Sequence, residues 1–374
     1  MTAVSSGADR WVDILPADPR PWLLKQAEPA GRWIALTALL GRPDDDPEVV
    51  AARAAVLADP GTRALIDRVP AWGAPIALPG HDSALFAPNL LGLLADMGVR
   101  AGDDPHIDAT LDAMLDGRTA DGDFATFARS RVTPEGAWSA LLCDTHAIVV
   151  TLVRYGRGDD PRVVRAISRM ADRIAETTSG RAWPCAPWGG FRGPGRRGDR
   201  CPQVTLQALR TFSLVGEARR PPVIDAVARA ALAPWRERSA AQPYMFGHGY
   251  RFKTVKWPGF WYDVLRTLET LAGYPSAWRD QDVRDEDRRA VAELIACLVA
   301  YNVGADGTVT PRSCMKGFEG HSFGQKRQPS AFATARVAAV VRPFACLAEE
   351  VRAVDVAALD SSKGGTGTPR PPRS

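Results

Sequence analysis

Cysteine, histidine and long apolar runs are scarce in this 374-residue chain, and each scarcity excludes a class of protein. Six cysteines are too few for a disulfide-stapled scaffold of this length, which favours a reducing, cytoplasmic compartment. No run of about 18 uninterrupted apolar residues occurs, so no membrane-spanning helix is expected. Residues 1–16 lack a basic stretch followed by an apolar one, so no signal peptide is expected.

An excess of charge of one sign is also missing. Lys and Arg number 47 against 43 Asp and Glu, which gives a formal net charge of +4. Proteins that follow a nucleic-acid backbone usually carry a clear basic excess, so nucleic acid is not an expected partner. The chain is 45% hydrophobic and 24% charged, as in an ordinary soluble globule, and its 11 tryptophans suit a ring-binding or apolar surface. The expected partner is a small molecule.

A recurring unit organises the chain. In each unit an apolar helical run ends in Gly, a short polar turn follows, and a second helix begins, in several units at Asp-Pro. Gly suits the left-handed position after a helix, and Asp-Pro supplies a side-chain acceptor at the N-cap with Pro in the first turn. The first helix of each pair is the more apolar and is predicted to be the inner one. The terminal glycines, spaced by 57, 58, 60 and 57 residues, are Gly41, Gly98, Gly156, Gly216 and Gly273.

This period predicts an all-α fold. Five to six hairpins of equal length can stack in an open solenoid or close into a ring, and we predict an (α/α)6-like toroid with two concentric helix layers. The toroid is assigned to residues 17–358, after an N-terminal segment 1–16 and before a disordered tail 359–374. Long connections at 118–138, 180–200, 239–259 and 303–328 would emerge on one face of a ring, which predicts that this face is the functional one.

Short Gly-aromatic turns on this frame resemble those of the terpenoid cyclase and protein prenyltransferase α/α toroid superfamily. The resemblance implies the toroid fold and an enzyme that acts on an apolar, isoprenoid-type substrate in an aromatic-lined central cavity. The superfamily's Asp-x-Asp-Asp and Asp-Asp-x-x-Asp motifs are absent, so no particular reaction follows. The segments that carry the resemblance are DGDF, GRAWP and ADGTVTP, similar to the Gly-x-Trp turn, and WPCAPWGGFRGPGRRGDRCP, KWPGFWYDVLRTLETL and SFGQKRQPS, similar to a bacterial prenyltransferase/squalene-oxidase-repeat branch.

One set of cysteines and a histidine predicts a zinc site. Cys143 and His146 lie three residues apart at a helix start and should share a face, and Cys185 and Cys201 flank the next long connection. Three thiolates and an imidazole make a tetrahedral zinc set, with Asp144 as a further ligand or as the partner of His146. The alternative is three packed cysteines and a core histidine. A coordination position left to water would make the ion catalytic.

A second set interleaves aromatic and cationic residues over 244–263. His248 is a candidate general acid or base, and Tyr250 and Asp144 join it as predicted catalytic residues. Aromatic faces attract cations, and cationic side chains hold a diphosphate or carboxylate. The alternative is a segment with its aromatics packed inward and its cations solvated. The residues predicted to bind substrate on these grounds are Trp183, Trp188, Tyr244, Arg251, Lys253, Lys256, Trp257, Trp261, Tyr262 and Lys326.

Three functions remain open at this level. The first is the isoprenoid cyclase or prenyltransferase-like enzyme, the second a non-catalytic binding scaffold with structural zinc, and the third a toroid lyase that acts on acidic sugars. A deep apolar centre would favour the first, a filled centre the second, and an open polar groove the third.

Overall fold

Helices dominate the molecule. The computed structural model describes residues 7–73, 81, 83–128, 134–177, 180–184, 200–238 and 248–361. Within these ranges the strands form only two short antiparallel hairpins and one parallel pair, so the predicted all-α class is confirmed. One hairpin, at 126–128 and 137–139, lies in the predicted connection 118–138 to within one residue. The other, at 175–177 and 180–182, begins five residues before the predicted connection 180–200.

The regular elements follow the predicted hairpins. Single turns of 3-10 helix occur at several joints, and a π-helical stretch, Ala35–Leu39, continues the second helix. The strands are β1 (Thr126–Ala128), β2 (Ala137–Ser139), β3 (Ala175–Thr177), β4 (Gly180–Ala182), β5 (Lys256–Trp257) and β6 (Ser313–Cys314). The helices are α1 (Arg20–Leu23), α2 (Pro29–Ile34), α3 (Pro47–Ala58), α4 (Pro60–Asp67), α5 (Ala87–Asp96), α6 (Pro105–Asp116), α7 (Leu142–Arg154), α8 (Pro161–Asp172), α9 (Pro202–Leu214), α10 (Ile224–Ala230), α11 (Ala233–Arg236), α12 (Tyr250–Lys253), α13 (Val264–Leu271), α14 (Asp285–Asn302), α15 (Ala331–Val341), α16 (Ala348–Arg352) and α17 (Val356–Ser361).

The predicted helix starts are confirmed where Asp precedes Pro. In α3, α6 and α8 the N-cap carboxylate accepts a hydrogen bond from the backbone N–H two residues later, and Pro occupies the first turn. A free N–H at this end would otherwise lack a partner, so the side chain stabilises the helix start. The three N-cap residues are Asp46, Asp104 and Asp160.

The terminal glycines divide into two kinds. Gly41, Gly98 and Gly156 have φ angles of 66°, 103° and 76°, the left-handed conformation that the sequence predicts. Gly216 and Gly273 do not, so the prediction is wrong there. At Gly273 the reason for glycine is space, because an added Cβ would lie 2.7 Å from the Cβ of Ser213.

The first helices of successive units pack against one another. Helix α7 contacts α5 on one side and α9 on the other, α9 contacts α13, α13 contacts α15, and α15 contacts α2. The ring of Trp33 in α2 lies against Gly98 after α5, where a Cβ would come within 2.9 Å of it. Helix α8, the second of its pair, packs against α7 and buries Val163, Ala166 and Met170 on one face, as predicted for an amphipathic helix.

The chain ends join the same core. The 3-10 helix Gly7–Ile14 packs against Arg342–Leu347 and α16 and buries Trp11 completely, so part of the predicted N-terminal segment belongs to the globular unit. Helix α17 continues to Ser361, past the predicted end of the toroid at residue 358. The rest of the predicted tail lies outside the described residues.

One helical stretch, Ala331–Arg352, is long and apolar enough by composition to cross a membrane. Its most apolar window is 67% buried inside the fold, as is usual for the core helix of a soluble protein.

Candidate metal centre and mouth cavity

Three potential metal ligands meet where α7 begins. His81 comes from the segment before α5, and Cys143 and Asp144 from the first turn of α7. One ligand atom from each lies within 4.8 Å of the other two. His81 Nδ1 lies 2.8 Å from Asp144 Oδ1, although 63 residues separate them in the chain.

Neighbouring groups hold these ligands in place. Thr126 Oγ1 donates a hydrogen bond of 3.0 Å to the second oxygen of Asp144. Asn89 Nδ2 donates to the backbone carbonyl of His81 at 3.0 Å. The indole of Trp261 stacks on the His81 ring, with centroids 5.5 Å apart and planes 17° apart. Such outer partners fix the orientation of a metal ligand and tune its basicity.

The charge state of His81 follows from its two neighbours. Burial lowers the pKa of His81, but the hydrogen bond to Asp144 and the nearby Cys143 raise it more, to about 10 overall. Without a metal the imidazole is therefore a cation paired with the carboxylate at neutral pH. A metal would have to displace that proton, so its binding would release a proton.

The donor set suits zinc. A thiolate, an imidazole and a carboxylate are all ordinary zinc ligands, and three protein ligands leave a fourth position open to water or substrate. Cys143 and Asp144 were predicted from the sequence, and His81 was not. The sequence offers one signal for His81, which is its place in the long connection between α4 and α5.

The other predicted ligands lie elsewhere. His146 is fully buried between α7 and α9, with Nδ1 3.3 Å from the carbonyl oxygen of Val204, and burial lowers its pKa to about 4. That environment matches the alternative of a core histidine. Cys201 is buried at the N-cap of α9, and Cys185 lies outside the described residues. Among the residues that the structure describes, Cys143 is grouped with His81 and Asp144 and not with His146.

A cavity of about 450 Å³ opens beside this cluster. Five of its lining residues are predicted site residues: Tyr250, Arg251, Lys256, Trp261 and Tyr262. Trp261 joins the cavity to the cluster, because it lines the first and stacks on His81 of the second. The remaining walls are Thr254, Phe260, Asp263, Ser313 and Met315. We call this space the mouth cavity.

His248 lies behind the wall of the mouth cavity. Its Nε2 is 2.5 Å from the hydroxyl of Tyr262, and its ring packs against Phe252 and Trp235. Burial, together with nearby cationic side chains, lowers the pKa of His248 to about 3, and burial raises the pKa of Tyr262. His248 is thus a neutral core residue that approaches the mouth cavity through Tyr262.

Of the remaining predicted substrate-binding residues, those that the structure describes do not line the mouth cavity. Trp183 and Trp257 are core residues, 0% and 1% exposed, and Trp183 donates its indole N–H to Met170. Lys253 is buried, with its ammonium 5.4 Å from the ring centroid of Tyr301. Lys326 is exposed on the connection before α15. Trp188 and Tyr244 lie outside the described residues.

The centre between the inner helices holds a second, smaller cavity of about 80 Å³. Side chains of α5, α7 and α9 line it. Phe260 borders both this central cavity and the mouth cavity. Its floor is formed by Arg154, Arg210 and Arg266. Of the described residues, Phe260 is the one aromatic in its lining, so this cavity is small and largely non-aromatic where an aromatic-lined cavity was expected.

No family model, curated protein or solved structure matches this chain. The resemblance to the toroid superfamily therefore depends on the sequence segments alone.

Proposed function

We propose that this chain is a prenyltransferase-like enzyme of α/α-toroid architecture with one zinc ion held by His81, Cys143 and Asp144. The observation that carries the proposal is the convergence of these three ligand atoms within 4.8 Å beside the mouth cavity. The toroid is supported by the order of inner-helix contacts, in which the last inner helix, α15, packs against the first, α2. Glu28, just before α2, adds to this closure by accepting hydrogen bonds from Ser322 Oγ and the backbone N–H of Phe332.

The zinc would supply Lewis acidity, or a lowered pKa for a thiol or water in its fourth position. The chain's own residues prepare that chemistry. Thr126 fixes one oxygen of Asp144 and leaves the other toward His81. Trp261 restricts rotation of the imidazole by stacking on it. The thiolate of Cys143 and the carboxylate of Asp144 would balance the charge of a divalent ion.

The substrate would sit in the mouth cavity. Its volume of about 450 Å³ suits a small organic molecule, whereas the central cavity, at about 80 Å³, is too small for an isoprenoid chain. Arg251 and Lys256 provide positive charge for a diphosphate or carboxylate, and Trp261, Tyr262 and Met315 provide apolar walls. An isoprenoid diphosphate has both of these features.

The cytoplasm is the compartment that fits this chemistry. Cys143, Cys314 and Cys346 are free thiols in the structure. A reducing environment keeps such a thiol available as a metal ligand, whereas an oxidising one would favour disulfide formation.

Metal analysis of the purified protein tests the proposal. We expect about one equivalent of zinc in the wild type, and its loss in His81→Ala and Cys143→Ser. Cys314→Ser is the matched control, because Cys314 is a partly buried cysteine outside the cluster and its variant should keep the metal. Transfer of a prenyl group from isoprenoid diphosphates should stop on chelation and return with zinc. A wild-type protein that binds no zinc under reducing conditions would refute the site.

A second candidate function rests on Tyr262 and His248. A neutral histidine hydrogen-bonded to a protonated tyrosine, beside Arg251 and Lys256, is an arrangement suited to β-elimination from an acidic sugar. Such a lyase activity would survive chelation and be lost in Tyr262→Phe. If zinc is present but neither activity is found, the non-catalytic scaffold with structural zinc becomes the better description.

A further inference from the structure

Six charged side chains from five inner helices meet at the floor of the central cavity. Asp96 at the end of α5 and Glu269 in α13 provide the two carboxylates. Asp96 lies 2.6 Å from a guanidinium nitrogen of Arg154 and 3.1 Å from one of Arg336. Glu269 lies 2.6 Å from Arg210, 2.7 Å from Arg266 and 2.6 Å from Arg336. We call these six residues the arginine cluster.

The arginine cluster is not neutral. Its four guanidinium groups carry four positive charges and its two carboxylates carry two negative ones. The carboxylate of Asp263, at the N-cap of α13, also interacts with Arg266 and offsets part of the excess when it is ionised, so at least one positive charge is left over. The four arginine side chains are only 12–18% exposed. Buried charges are costly unless other charges or hydrogen bonds compensate them. Burial lowers the pKa of Arg210 to about 9 despite the nearby Glu269. For Arg266 and Arg336 burial also lowers the pKa but nearby carboxylates raise it more, so compensation is least complete at Arg210.

The space beside the excess charge is open. Arg154, Arg210 and Arg266 all line the central cavity, together with the amide side chains of Gln203 and Gln207. Among the described residues, Gln207 Oε1 has no hydrogen-bond partner. The side-chain amide can therefore rotate to present its N–H group to a ligand without losing a hydrogen bond of that oxygen. One water needs about 10–15 Å³, so a volume of about 80 Å³ holds several waters or one small anion.

We infer that the arginine cluster binds a small dianionic oxyanion, such as phosphate or sulfate, at the floor of the central cavity. This is a second site, separate from the proposed zinc centre. Ten residues of α7 separate Asp144 from Arg154, which corresponds to about 15 Å along the helix. The ligand would offset the excess positive charge of the arginine cluster and accept hydrogen bonds from the three guanidinium groups that line the cavity.

A purely structural role for the arginines makes different predictions. Asp96 and Arg154 are the last residues of α5 and α7, and the carbonyl ends of helices carry partial negative charge. Arg154 also donates to the carbonyl of Gly92 at 2.9 Å. If these groups alone balance the arginines, the cluster needs no ligand, and removal of one arginine should weaken the unliganded fold.

Arg210→Met separates the two roles. Glu269 keeps Arg266 and Arg336 as partners in this variant, so no carboxylate is left unpaired. If the cluster is an anion site, phosphate should raise the melting temperature of the wild type more than chloride at equal ionic strength. Arg210→Met should then weaken phosphate binding, measured by calorimetry, at least tenfold, with an unchanged or higher melting temperature in the absence of phosphate.

Two controls keep the result interpretable. Arg289→Met removes an exposed cation of α14 that lines neither cavity and should leave phosphate binding intact. Protein treated with a chelator should also bind phosphate, so failure of the zinc proposal would not imply failure of this one. The inference is overturned if phosphate stabilises the wild type no more than chloride, or if Arg289→Met reduces binding as much as Arg210→Met.

Discussion

His81 Nδ1 and Asp144 Oδ1 lie 2.8 Å apart, and this contact joins the segment before α5 to the first turn of α7. Because Cys143 is adjacent to Asp144 in the chain, the same contact completes the set of three ligand atoms. The candidate metal centre is thus a product of the packing between two neighbouring repeat units.

Thr126 should be a positioning residue for the metal. In Thr126→Val the carboxylate of Asp144 loses the hydrogen bond to its second oxygen, and we expect zinc affinity to fall about 10–100-fold. Thr145→Val is the matched control, because Thr145 Oγ1 donates to the carbonyl of Phe124 and not to Asp144. Competition with a chromogenic chelator measures both affinities. Equal zinc affinities in the two variants would contradict the assignment.

His248 should make the fold sensitive to acid. Its folded-state pKa of about 3 lies below the ordinary value of 6.5, so the unfolded chain binds a proton first as the pH falls. The contribution of neutral His248 to the free energy of unfolding is fully present above pH 6.5. It falls toward pH 3 by about 1.4 kcal/mol per pH unit. In His248→Phe the free energy of unfolding, measured in urea at pH 7, 5.5 and 4.5, should fall less steeply. Parallel curves for variant and wild type would contradict this.

His248 should also be costly to remove. From its loop position, the sequence predicts that His248→Ala changes stability by no more than about 1 kcal/mol. The structure corrects that prediction, because the side chain is 2% exposed and is enclosed by Trp235, Phe252 and Tyr262. Truncation leaves a cavity among aromatic rings, and a loss of about 2–4 kcal/mol is expected. Thermal or urea unfolding at pH 7 decides between the two values.

Asp263 should have the opposite pH dependence. Burial raises its pKa to about 6, above the ordinary 3.8, although the backbone N–H of Arg266 favours the ionised form. A raised pKa means that the contribution of Asp263 is fully present at low pH and is lost as the pH rises through 6. Asp263→Asn keeps an acceptor for the N-cap of α13, so it should be more stable than the wild type by about 1–3 kcal/mol at pH 8. That difference should vanish near pH 4, and a variant less stable than wild type at pH 8 would contradict it.

Gly216 and Gly273 form a matched pair of substitutions. Neither has a positive φ, but a Cβ at Gly216 would meet nothing within 4 Å, whereas one at Gly273 would clash with Ser213. Gly216→Ala should stabilise the protein by about 0.4–1 kcal/mol through the unfolded state. Gly273→Ala should destabilise it by about 1–3 kcal/mol through overpacking. Melting temperatures that shift in the same direction would show that the contact with Ser213 does not govern Gly273.

Local features of the fold were predictable because short-range chemistry produces them. Asp at the N-cap and Pro in the first turn start α3, α6 and α8 whatever packs around them, and the apolar runs between the glycines are long enough to be helices. The two exceptions, Gly216 and Gly273, occur where backbone conformation does not explain the glycine. At Gly273 the close approach of Ser213 in α9 explains why the residue is glycine.

The site was only partly predictable, because its members depend on which turns of which helices face one another. The aromatic and cationic segment was identified as a binding surface, and Tyr250, Arg251, Lys256, Trp261 and Tyr262 do line one cavity. The three-residue spacing of Cys143 and His146 suggested a shared ligand face, yet α9 packs over His146 and encloses it in the core. The arginine cluster had no motif, since its six members come from five separate helices.

The sequence by itself determined the helical class, the length of the repeat, and the residues that start α3, α6 and α8, because these follow from periodicity and from contacts within one turn. Tertiary structure alone decided that His81 replaces His146 beside Cys143, that His248 is a core residue, and that the centre is charged and narrow. Each of these depends on distances between residues about 60 or more positions apart, or on burial by another element. Only the packed arrangement of the helices sets those quantities.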